Sequence, residues 1–292
     1  MNLTKKIAIV TDSNSGIMPQ DAPEGVFVVP MPFLVNGDCY FENVTLSQTE
    51  FYELLEQNAN VSTSQPSLGD LEEIWTNVLK EYDELVYIPM TSGLSQSCAA
   101  AQNLSKDFDG KVFVADNHRI SATMKESVYD ALKLAKQGKT GAEIKEYLEK
   151  TGLDASIYIA VETMKYLKKG GRVTPAAAMI GSILKIKPVL QIQGEKLDKY
   201  ALARGSAKAK EIIKNAIKND LETVYAEYAK NGEMSIHVAH TANEENAKQL
   251  VEELKEMFPN LPFHFCDPLA LSIACHTGPG ALGAGCVRFI KD

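Results

Sequence analysis

Short apolar runs that alternate with helical patterns limit the fold of this chain more than any other feature of its sequence. Compact β-rich runs occupy residues 7–10, 85–89 and 112–115. The second and third runs each lead through a short polar turn into a segment with helical spacing. Strands that alternate with helices need crossover connections, so we expect a mainly parallel sheet whose carboxyl-end loops gather on one side. Asp12, Thr91 and Asp116 fall on that side.

The later part of the chain follows a different pattern, which begins near residues 156–161. Two closely spaced β-rich runs, residues 189–193 and 197–202, flank Gly194 and Glu195 and predict a β-hairpin. Because a hairpin joins antiparallel strands, the second sheet is predicted to be mixed.

Length favours two domains, because a chain of 292 residues is longer than a typical single domain. We place the boundary approximately, with an N-terminal α/β domain at residues 1–157 and a C-terminal α/β domain at residues 158–292. The first should hold the mainly parallel sheet with flanking helices, and the second should hold the mixed sheet. The interface between two such domains is a natural site for a ligand.

Composition disfavours several classes of protein. The formal net charge is -8 and the basic residues are scattered along the chain, which argues against nucleic-acid binding and electrostatic membrane docking. Residues 1–6 lead directly into an apolar strand without a leader pattern, and no run of about 18 apolar residues follows. Five widely spaced cysteines, an odd number, suit reduced thiols in a cytosol. We therefore expect a soluble, cytoplasmic protein without a membrane-spanning segment.

Residues 63–67, with the sequence TSQPS, supply three hydroxyls and an amide directly before a predicted helix. The free backbone N–H groups at a helix N-terminus attract anions, so Thr63 and Ser64 are candidate ligand contacts. A loop that only caps its helix has a similar composition. The segment alone does not separate these two alternatives.

Residues 91–97, with the sequence TSGLSQS, stand between a strand and a helix. There the hydroxyls of Ser95 and Ser97, with nearby backbone N–H groups, can hold a carboxylate or a phosphate. The segment also begins like the nucleophile elbow of a serine hydrolase, although serine replaces the final glycine of that pattern. Because Asp267 and His276 follow in the chain order of a hydrolase triad, a serine hydrolase using Ser95 and His276 is the alternative function.

Two arginines stand beside glycines. The pattern of residues 166–173 predicts a short helix that ends at Gly170 and Gly171, so that Arg172 projects from a fixed turn. Arg204 also stands directly before a glycine. Both arginines can contact a ligand, or they can be solvated basic groups that complement a helix dipole.

Residues 275–283 satisfy the pattern GxGxxG, but only nine residues follow them. A dinucleotide-binding fold needs a further strand and an acidic residue about 20 residues on, so that interpretation fails. Glycines such as Gly280 can instead bring the backbone close to a ligand and leave His276 and Thr277 facing it. The His and Cys residues of segment 264–276 match no standard zinc spacing, so no metal is predicted. Walker A and kinase motifs are missing from the sequence.

Taken in order, these motifs make the chain resemble the DegV family, the fatty-acid-binding subunits of bacterial fatty acid kinase. The matching segments are residues 10–13 (VTDS), 63–67 (TSQPS), 93–95 (GLS), 170–172 (GGR), 187–188 (KP) and 276–280 (HTGPG). They lie in register along nearly the whole chain, so together they are far more specific than any one of them. The resemblance implies a two-domain α/β fold with one long-chain, palmitate-like fatty acid between the domains.

The resemblance also implies roles for individual residues. Thr63 and Ser95 are implied to bind the fatty-acid carboxylate, and His276 is implied to lie near the same head group. Arg172 and Arg204 resemble contacts for the kinase or its phosphates. Because the kinase is a separate catalytic subunit, the chain is expected to be a lipid-binding carrier that serves phospholipid synthesis, with no cofactor and no chemistry of its own.

The sequence departs from the family directly after Ser95. Gln96, Ser97 and Cys98 stand where glycine, threonine and tyrosine are usual. The hydroxyl of Ser95 is retained, so we expect the three replacements to change the local shape of the loop.

Elementary energetics agree with the implied role. Burying about 14 methylenes releases on the order of 11 kcal/mol at ~0.8 kcal/mol per group, before ordering costs. Neutral hydroxyl donors can hold a carboxylate and leave one oxygen free as a nucleophile, whereas a bidentate arginine would occupy both oxygens. A kinase with ATP and magnesium could then transfer a phosphoryl group to that oxygen and form an acyl phosphate.

Overall fold

The computed structural model of the chain describes residues 5–181 and 186–291. Residues 1–4, on which the expectation of a leaderless N-terminus partly rests, lie outside the described residues. The strands are β1 (Ile7–Asp12), β2 (Val26–Val29), β3 (Pro32–Val35), β4 (Asp38–Phe41), β5 (Val61–Thr63), β6 (Glu84–Ile88), β7 (Val112–Val114), β8 (Ala155–Ala160), β9 (Ile186–Ile192), β10 (Asp198–Arg204), β11 (Met234–His240), β12 (Phe263–Pro268) and β13 (Leu282–Arg288).

The α-helices are α1 (Gln48–Glu56), α2 (Leu68–Val78), α3 (Ser97–Leu104), α4 (Ser121–Lys136), α5 (Gly141–Lys150), α6 (Lys165–Gly170), α7 (Pro175–Ala178), α8 (Ser206–Glu222), α9 (Ala226–Lys230), α10 (Glu244–Met257) and α11 (Leu271–Thr277). None of the helices within the two described ranges combines the length and the apolar composition needed to cross a lipid bilayer.

The first sheet is parallel, as the alternating pattern predicts, and its strand order is β2-β1-β6-β7. All six residues of β1 are buried because helices cover both faces of the sheet. Ile9 packs toward α4 and α5, whereas its neighbour Val10 packs toward α2 and α3. The loops after β1 and β6 therefore emerge on the same edge.

The second sheet is mixed, as predicted, with the strand order β10-β9-β8-β13-β11-β12. The pair β11 and β12 is parallel, and the other neighbouring pairs are antiparallel. The predicted hairpin is confirmed, because β9 and β10 are joined by a turn in which Gly194 has φ 84°. Helices α8 and α10 cover one face of this sheet. Its other face lies on the side of α4 and the first sheet.

A third, small antiparallel sheet of order β4-β3-β5 was not expected from the sequence. The sequence pattern allowed a loop at residues 63–67, but Thr63 is the last residue of strand β5, which pairs with β3. Phe33 of β3 is fully buried against Phe51 of α1, and the sheet packs on α11. This pairing joins distant segments, so the local pattern does not reveal it. It places Thr63 at the end of a strand beside α11.

A buried polar network joins the first sheet to α11. The carboxylate of Asp12 accepts hydrogen bonds from the backbone N–H groups of Asn14 and Met90, both at 2.9 Å. The side-chain amide of Asn14 also donates to Asp12 at 2.8 Å, and its oxygen accepts from the Ser272 hydroxyl at 2.6 Å. Burial raises the pKa of Asp12 to about 6 despite these donors. The network fixes α11 over the carboxyl edge of the first sheet.

Candidate functional site

A cavity lies between the carboxyl edge of the first sheet and the inner face of the second. It offers about 210 Å³ to the centres of water-sized molecules. A single buried water needs at least ~10–15 Å³ of such space, so the cavity is many times larger than a one-water site. Its lining is mainly apolar and includes Met31, Met90, Leu94, Ile120, Ile157, Ile159, Leu167, Ile192, Leu197, Val238, Leu269 and Ile273. The cavity can therefore take an extended hydrocarbon chain.

Two glycines of β13 open a groove in the floor of this cavity. Gly283 lies opposite Ile159 and Gly285 lies opposite Ile157 in the antiparallel pair of β13 and β8, and all four residues line the cavity. Cross-strand partners share one face of a sheet, so these two glycines withhold side chains from the inner face. The isoleucines then form one wall of an apolar groove that follows the strand.

The cavity is polar and open at one end. Ser64, Gln65 and Gln96 are exposed to solvent and also line the cavity. Thr63 and Ser95 line the same end but are partly buried. A ligand with a polar head and an apolar tail would therefore bind with its head at this mouth.

Thr63 and His276 meet at the mouth, although 213 positions separate them in the sequence. The hydroxyl oxygen of Thr63 lies 2.9 Å from Nε2 of His276. Nδ1 of His276 is buried without a hydrogen-bond partner, and the ring packs so closely on Gly170 that a Cβ there would overlap it. Burial, and secondarily the positive charge of Arg172, lowers the pKa of His276 to about 4. The imidazole is therefore neutral at neutral pH.

Neutral His276 is best satisfied with its proton on Nε2, which then donates to the Thr63 oxygen. The opposite tautomer would press a buried N–H against the Cα of Gly170 with no acceptor in reach. This tautomer is assigned from the hydrogen-bond pattern rather than seen as a hydrogen position. It leaves the hydroxyl proton of Thr63 free for a ligand.

The hydroxyl proton of Ser95 is also left free for a ligand. Its hydroxyl oxygen accepts a hydrogen bond from the backbone N–H of Ser97 at 3.1 Å, so its proton is also free. The turn before it is held by Thr91, whose hydroxyl accepts from the Gly93 N–H at 3.1 Å and whose carbonyl accepts from the Leu94 N–H at 3.1 Å. The cavity mouth thus offers two neutral hydroxyl donors on ordered backbone.

Arg172 lines the cavity and connects the two hydroxyl-bearing segments. Its Nε donates to the Leu94 carbonyl at 3.1 Å, and its Nη1 donates to the Gly170 carbonyl at 2.5 Å. As predicted, α6 ends at these glycines, with Gly171 in the left-handed region at φ 69°. Contacts therefore run from Thr63 through His276, Gly170 and Arg172 to the loop that carries Ser95.

Ser64 and Thr277 also line the cavity, whereas Ser97, Gly280 and Arg204 do not belong to its lining. Ser97 begins α3, and its hydroxyl is buried away from the cavity without a hydrogen-bond partner. Gly280 belongs to a turn, where its N–H donates to the Thr241 carbonyl at 2.7 Å. Arg204 is exposed at the end of the edge strand β10.

Nothing in the described part of the chain favours the serine hydrolase alternative. A triad needs a histidine between the serine and an acid. His276 instead uses Nε2 for Thr63 and packs its other nitrogen against Gly170, while Asp267 forms an ion pair with Lys125 at 2.8 Å. Among the described residues, no cluster of three His, Cys, Asp or Glu side chains could hold a metal ion.

Two residues that line the cavity, and one that packs on His276, had no such role predicted from the sequence. Asn14 and His237 were not singled out, and Gly170 was assigned only to the end of a helix. The alternation of glycines at positions 283 and 285 was a usable signal, because it leaves one face of a strand bare. The contact between Gly170 and His276 had no local signal, because it depends on how α6 packs against α11.

We predict that His276 remains neutral far below the usual pKa of histidine. The pKa of the ring is 6.5 in the unfolded chain and about 4 in the folded protein, so the folded protein binds this proton only at a lower pH. Its contribution to stability is therefore complete above pH 6.5 and is lost as the pH falls toward 4. Long-range ¹H–¹⁵N NMR should show an Nε2-protonated ring that titrates near pH 4. A midpoint near 6.5 would contradict this environment.

We predict that Gly170→Ala displaces the His276 ring, because the added methyl group overlaps its Nδ1 and Cε1. The loss of packing and of the bond to Thr63 should cost roughly 1–3 kcal/mol. Gly171→Ala is the matched control: it costs about 1 kcal/mol through its positive φ, but no atom lies near the added Cβ. The pKa of His276 should rise toward its ordinary value in the first variant only. An unchanged His276 titration in Gly170→Ala would disprove the contact.

Comparison with known proteins gives the fold and cavity a family context. A model of the DegV family, described as uncharacterised proteins, matches residues 6–288. A DegV domain-containing protein of Staphylococcus aureus is 29% identical over 287 residues, which is 96% of this chain and 98% of that protein. The protein DegV of Bacillus subtilis is 30% identical over 285 residues, which is 95% of this chain and 97% of that protein.

Solved structures resemble the chain over nearly its whole length. A fatty-acid-binding DegV family protein of Thermus thermophilus has a TM-score of 0.84 and 28% identity, covering 97% of this chain and 100% of its own. DegV of Bacillus subtilis, a fatty acid binding protein, has a TM-score of 0.80 and 27% identity, covering 97% and 99%. A fatty acid binding DegV family protein of Streptococcus agalactiae has a TM-score of 0.85 and 25% identity, covering 98% and 100%. The parallel first sheet, the mixed second sheet and the match over residues 6–288 agree: this chain belongs to the DegV family.

Proposed function

We propose that the chain binds one long-chain fatty acid in the cavity and presents its carboxylate to a separate kinase, which phosphorylates it to an acyl phosphate. One observation carries this proposal. Thr63 and Ser95 line the open end of an apolar cavity, and each already accepts an internal hydrogen bond that leaves its proton free. Two such donors match an anionic head group attached to an apolar tail.

The charge at the mouth suits a carboxylate that must stay reactive. Arg172 supplies one positive charge, but two of its N–H groups are bound to backbone carbonyls. It therefore stabilises the anion without being free to clamp both oxygens in a fork. Neutral His276 adds no second positive charge. One carboxylate oxygen can then remain available as the nucleophile.

The apolar body of the cavity supplies most of the affinity. A palmitate-like tail over the groove formed by Gly283 and Gly285 would remove about 14 methylenes from water, a gross gain on the order of 11 kcal/mol. Immobilising the chain and the protein around it reduces that gain substantially. The relatives from Thermus thermophilus, Bacillus subtilis and Streptococcus agalactiae, which bind fatty acids, support the same ligand class for this chain.

A carrier role that serves a separate kinase fits both the sequence and the geometry of the mouth. Walker A and kinase motifs are missing from the sequence, so ATP has to come with a partner. The exposed residues Ser64, Gln65 and Gln96 surround the mouth, where an approaching kinase could reach the carboxylate. Arg204 is exposed and forms no hydrogen bond or ion pair with the described residues through its side chain, so we assign it to the kinase contact.

We predict that Thr63→Val and Ser95→Ala each weaken palmitate binding roughly 10-fold or more, because each removes a hydroxyl that donates to a charged acceptor, worth about 1.5–3 kcal/mol. Ser97→Ala is the matched control, since that hydroxyl lies outside the cavity lining. Native mass spectrometry and calorimetry with palmitate measure both the stoichiometry and the affinity. Equal affinity in Ser95→Ala and Ser97→Ala would refute the assignment of the head-group site.

Presentation to a kinase is tested separately from binding. The palmitate-loaded protein, a bacterial fatty acid kinase catalytic subunit, ATP and magnesium should yield acyl phosphate, which hydroxylamine traps as a hydroxamate. Arg204→Ala should lower this yield while the bound palmitate remains, whereas Lys106→Ala removes the same charge at another exposed site outside the cavity lining and should not. Tight palmitate binding with no hydroxamate would leave carriage standing and reject presentation. Labelling of Ser95 by a fluorophosphonate would instead favour the hydrolase.

A further inference from the structure

The apolar groove has one large wall and one small wall where it passes Gly283. In the antiparallel pairs of β13, Gly283 lies opposite Ile159 of β8 on one side and opposite Ala239 of β11 on the other. Cross-strand partners share one face of a sheet, and all three residues line the cavity. The isoleucine fills its side of the groove, whereas the alanine leaves its own side wider.

The methyl group of Ala239 faces the cavity and is not covered by other side chains. Ala239 packs against the apolar cluster that contains Leu269 and Ala281, whereas its neighbour Val238 belongs to the cluster under α8 and α10 on the other face. Ala239 is only partly buried, while Ile159 across the groove is 5% exposed. Because β11 lies inside the sheet between β13 and β12, the accessible part of Ala239 opens into the cavity.

A charged pair limits the groove beyond Ala239. Asp267 of β12 lies opposite Ala239 in the parallel pair of β11 and β12, and its carboxylate accepts a hydrogen bond from Lys125 of α4 at 2.8 Å. Neither of these two residues belongs to the cavity lining. An acyl chain that separated them would leave both charges without a partner, which is costly. The width available beside Gly283 therefore ends at Ala239.

We propose that Ala239 is a specificity-determining residue: its small side chain gives the groove the width that a long acyl chain needs, and a larger side chain there would restrict the protein to shorter chains. This inference rests on the proposed function and adds the residue that selects the chain. Valine at this position adds methyl groups to the open side of the groove, and isoleucine adds more. They would displace methylenes of the ligand, each of which contributes about 4-fold in affinity when buried.

The test is a series of saturated fatty acids from octanoate to stearate, whose affinities are measured by calorimetry for the unaltered protein, Ala239→Val and Ala239→Ile. The variants should match the unaltered protein for the shortest acids, which do not reach Ala239, and bind the longer acids more weakly. The loss for palmitate should be roughly 10-fold in Ala239→Val, equivalent to about two methylenes, and larger in Ala239→Ile. The same loss at every chain length, or no loss at any, would overturn the inference.

Ala201→Val is the matched control. Ala201 is also a partly buried alanine on a strand of the same sheet, but it packs against the cluster under α8 and α10 and does not line the cavity. Its substitution should leave the dependence on chain length unchanged. Ala239→Val without ligand should keep the melting temperature of the unaltered protein, because the added methyl groups enter free space. A lower melting temperature together with an equal loss at all lengths would indicate overpacking of a closed core and overturn the inference.

A measurement on the unaltered protein tests the inference even if a variant fails to fold. In protein labelled with ¹³C at the alanine methyl groups, bound palmitate should show nuclear Overhauser contacts to the methyl group of Ala239 and none to that of Ala201. Bound palmitate without a contact to Ala239 would overturn this inference and leave the proposed function standing. Failure of palmitate to bind at all would overturn the proposed function itself.

Discussion

The hydrogen bond between Thr63 and His276 holds together the polar end of the cavity, and the rest of the site depends on it. It joins β5 of the small sheet to α11 across 213 positions of sequence, and the His276 ring in turn packs on Gly170. Because the imidazole is neutral and its proton goes to the Thr63 oxygen, the threonine hydroxyl keeps its own proton for a ligand. A histidine that is charged at neutral pH would instead add a second positive charge to the mouth of the cavity.

Glycines determine where the backbone leaves room for a ligand or for a neighbouring side chain. Gly170 allows the His276 ring to lie against α6, and Gly283 and Gly285 leave the inner face of β13 bare next to Ile157 and Ile159. These positions work through the absence of a side chain, which leaves space for the His276 ring at Gly170 and for a ligand at Gly283 and Gly285. The missing side chains of Gly283 and Gly285 explain how a six-stranded sheet with a packed outer face can have an apolar groove along its inner face.

Much of the fold could be predicted from the sequence, because the decisive signals are local. The alternation of strands and helices indicated the parallel first sheet, and the spacing around Gly194 indicated the hairpin that makes the second sheet mixed. The small sheet was missed because β5 is short and its partner β3 lies far back in the chain. The strand at residues 61–63 therefore looked like part of a polar loop.

The site was predictable only in part for the same reason. Thr63, Ser95 and His276 lie in motifs that stand out in the sequence, and the structure brings all three to one cavity. Ser97 looked equivalent to Ser95, but α3 begins at Ser97 and turns its hydroxyl away, so only its N–H reaches the site. His237 carries no motif, and its position in the cavity follows from sheet register, which a one-residue shift would reverse.

A crystal structure of the protein grown with saturating palmitate tests the central claim most directly. The account predicts one acyl chain between the two large sheets, with its carboxylate oxygens within about 3.2 Å of the hydroxyls of Thr63 and Ser95 and its methylenes over Gly283 and Gly285. An empty cavity under those conditions, or a chain bound with its carboxylate away from both hydroxyls, would contradict it.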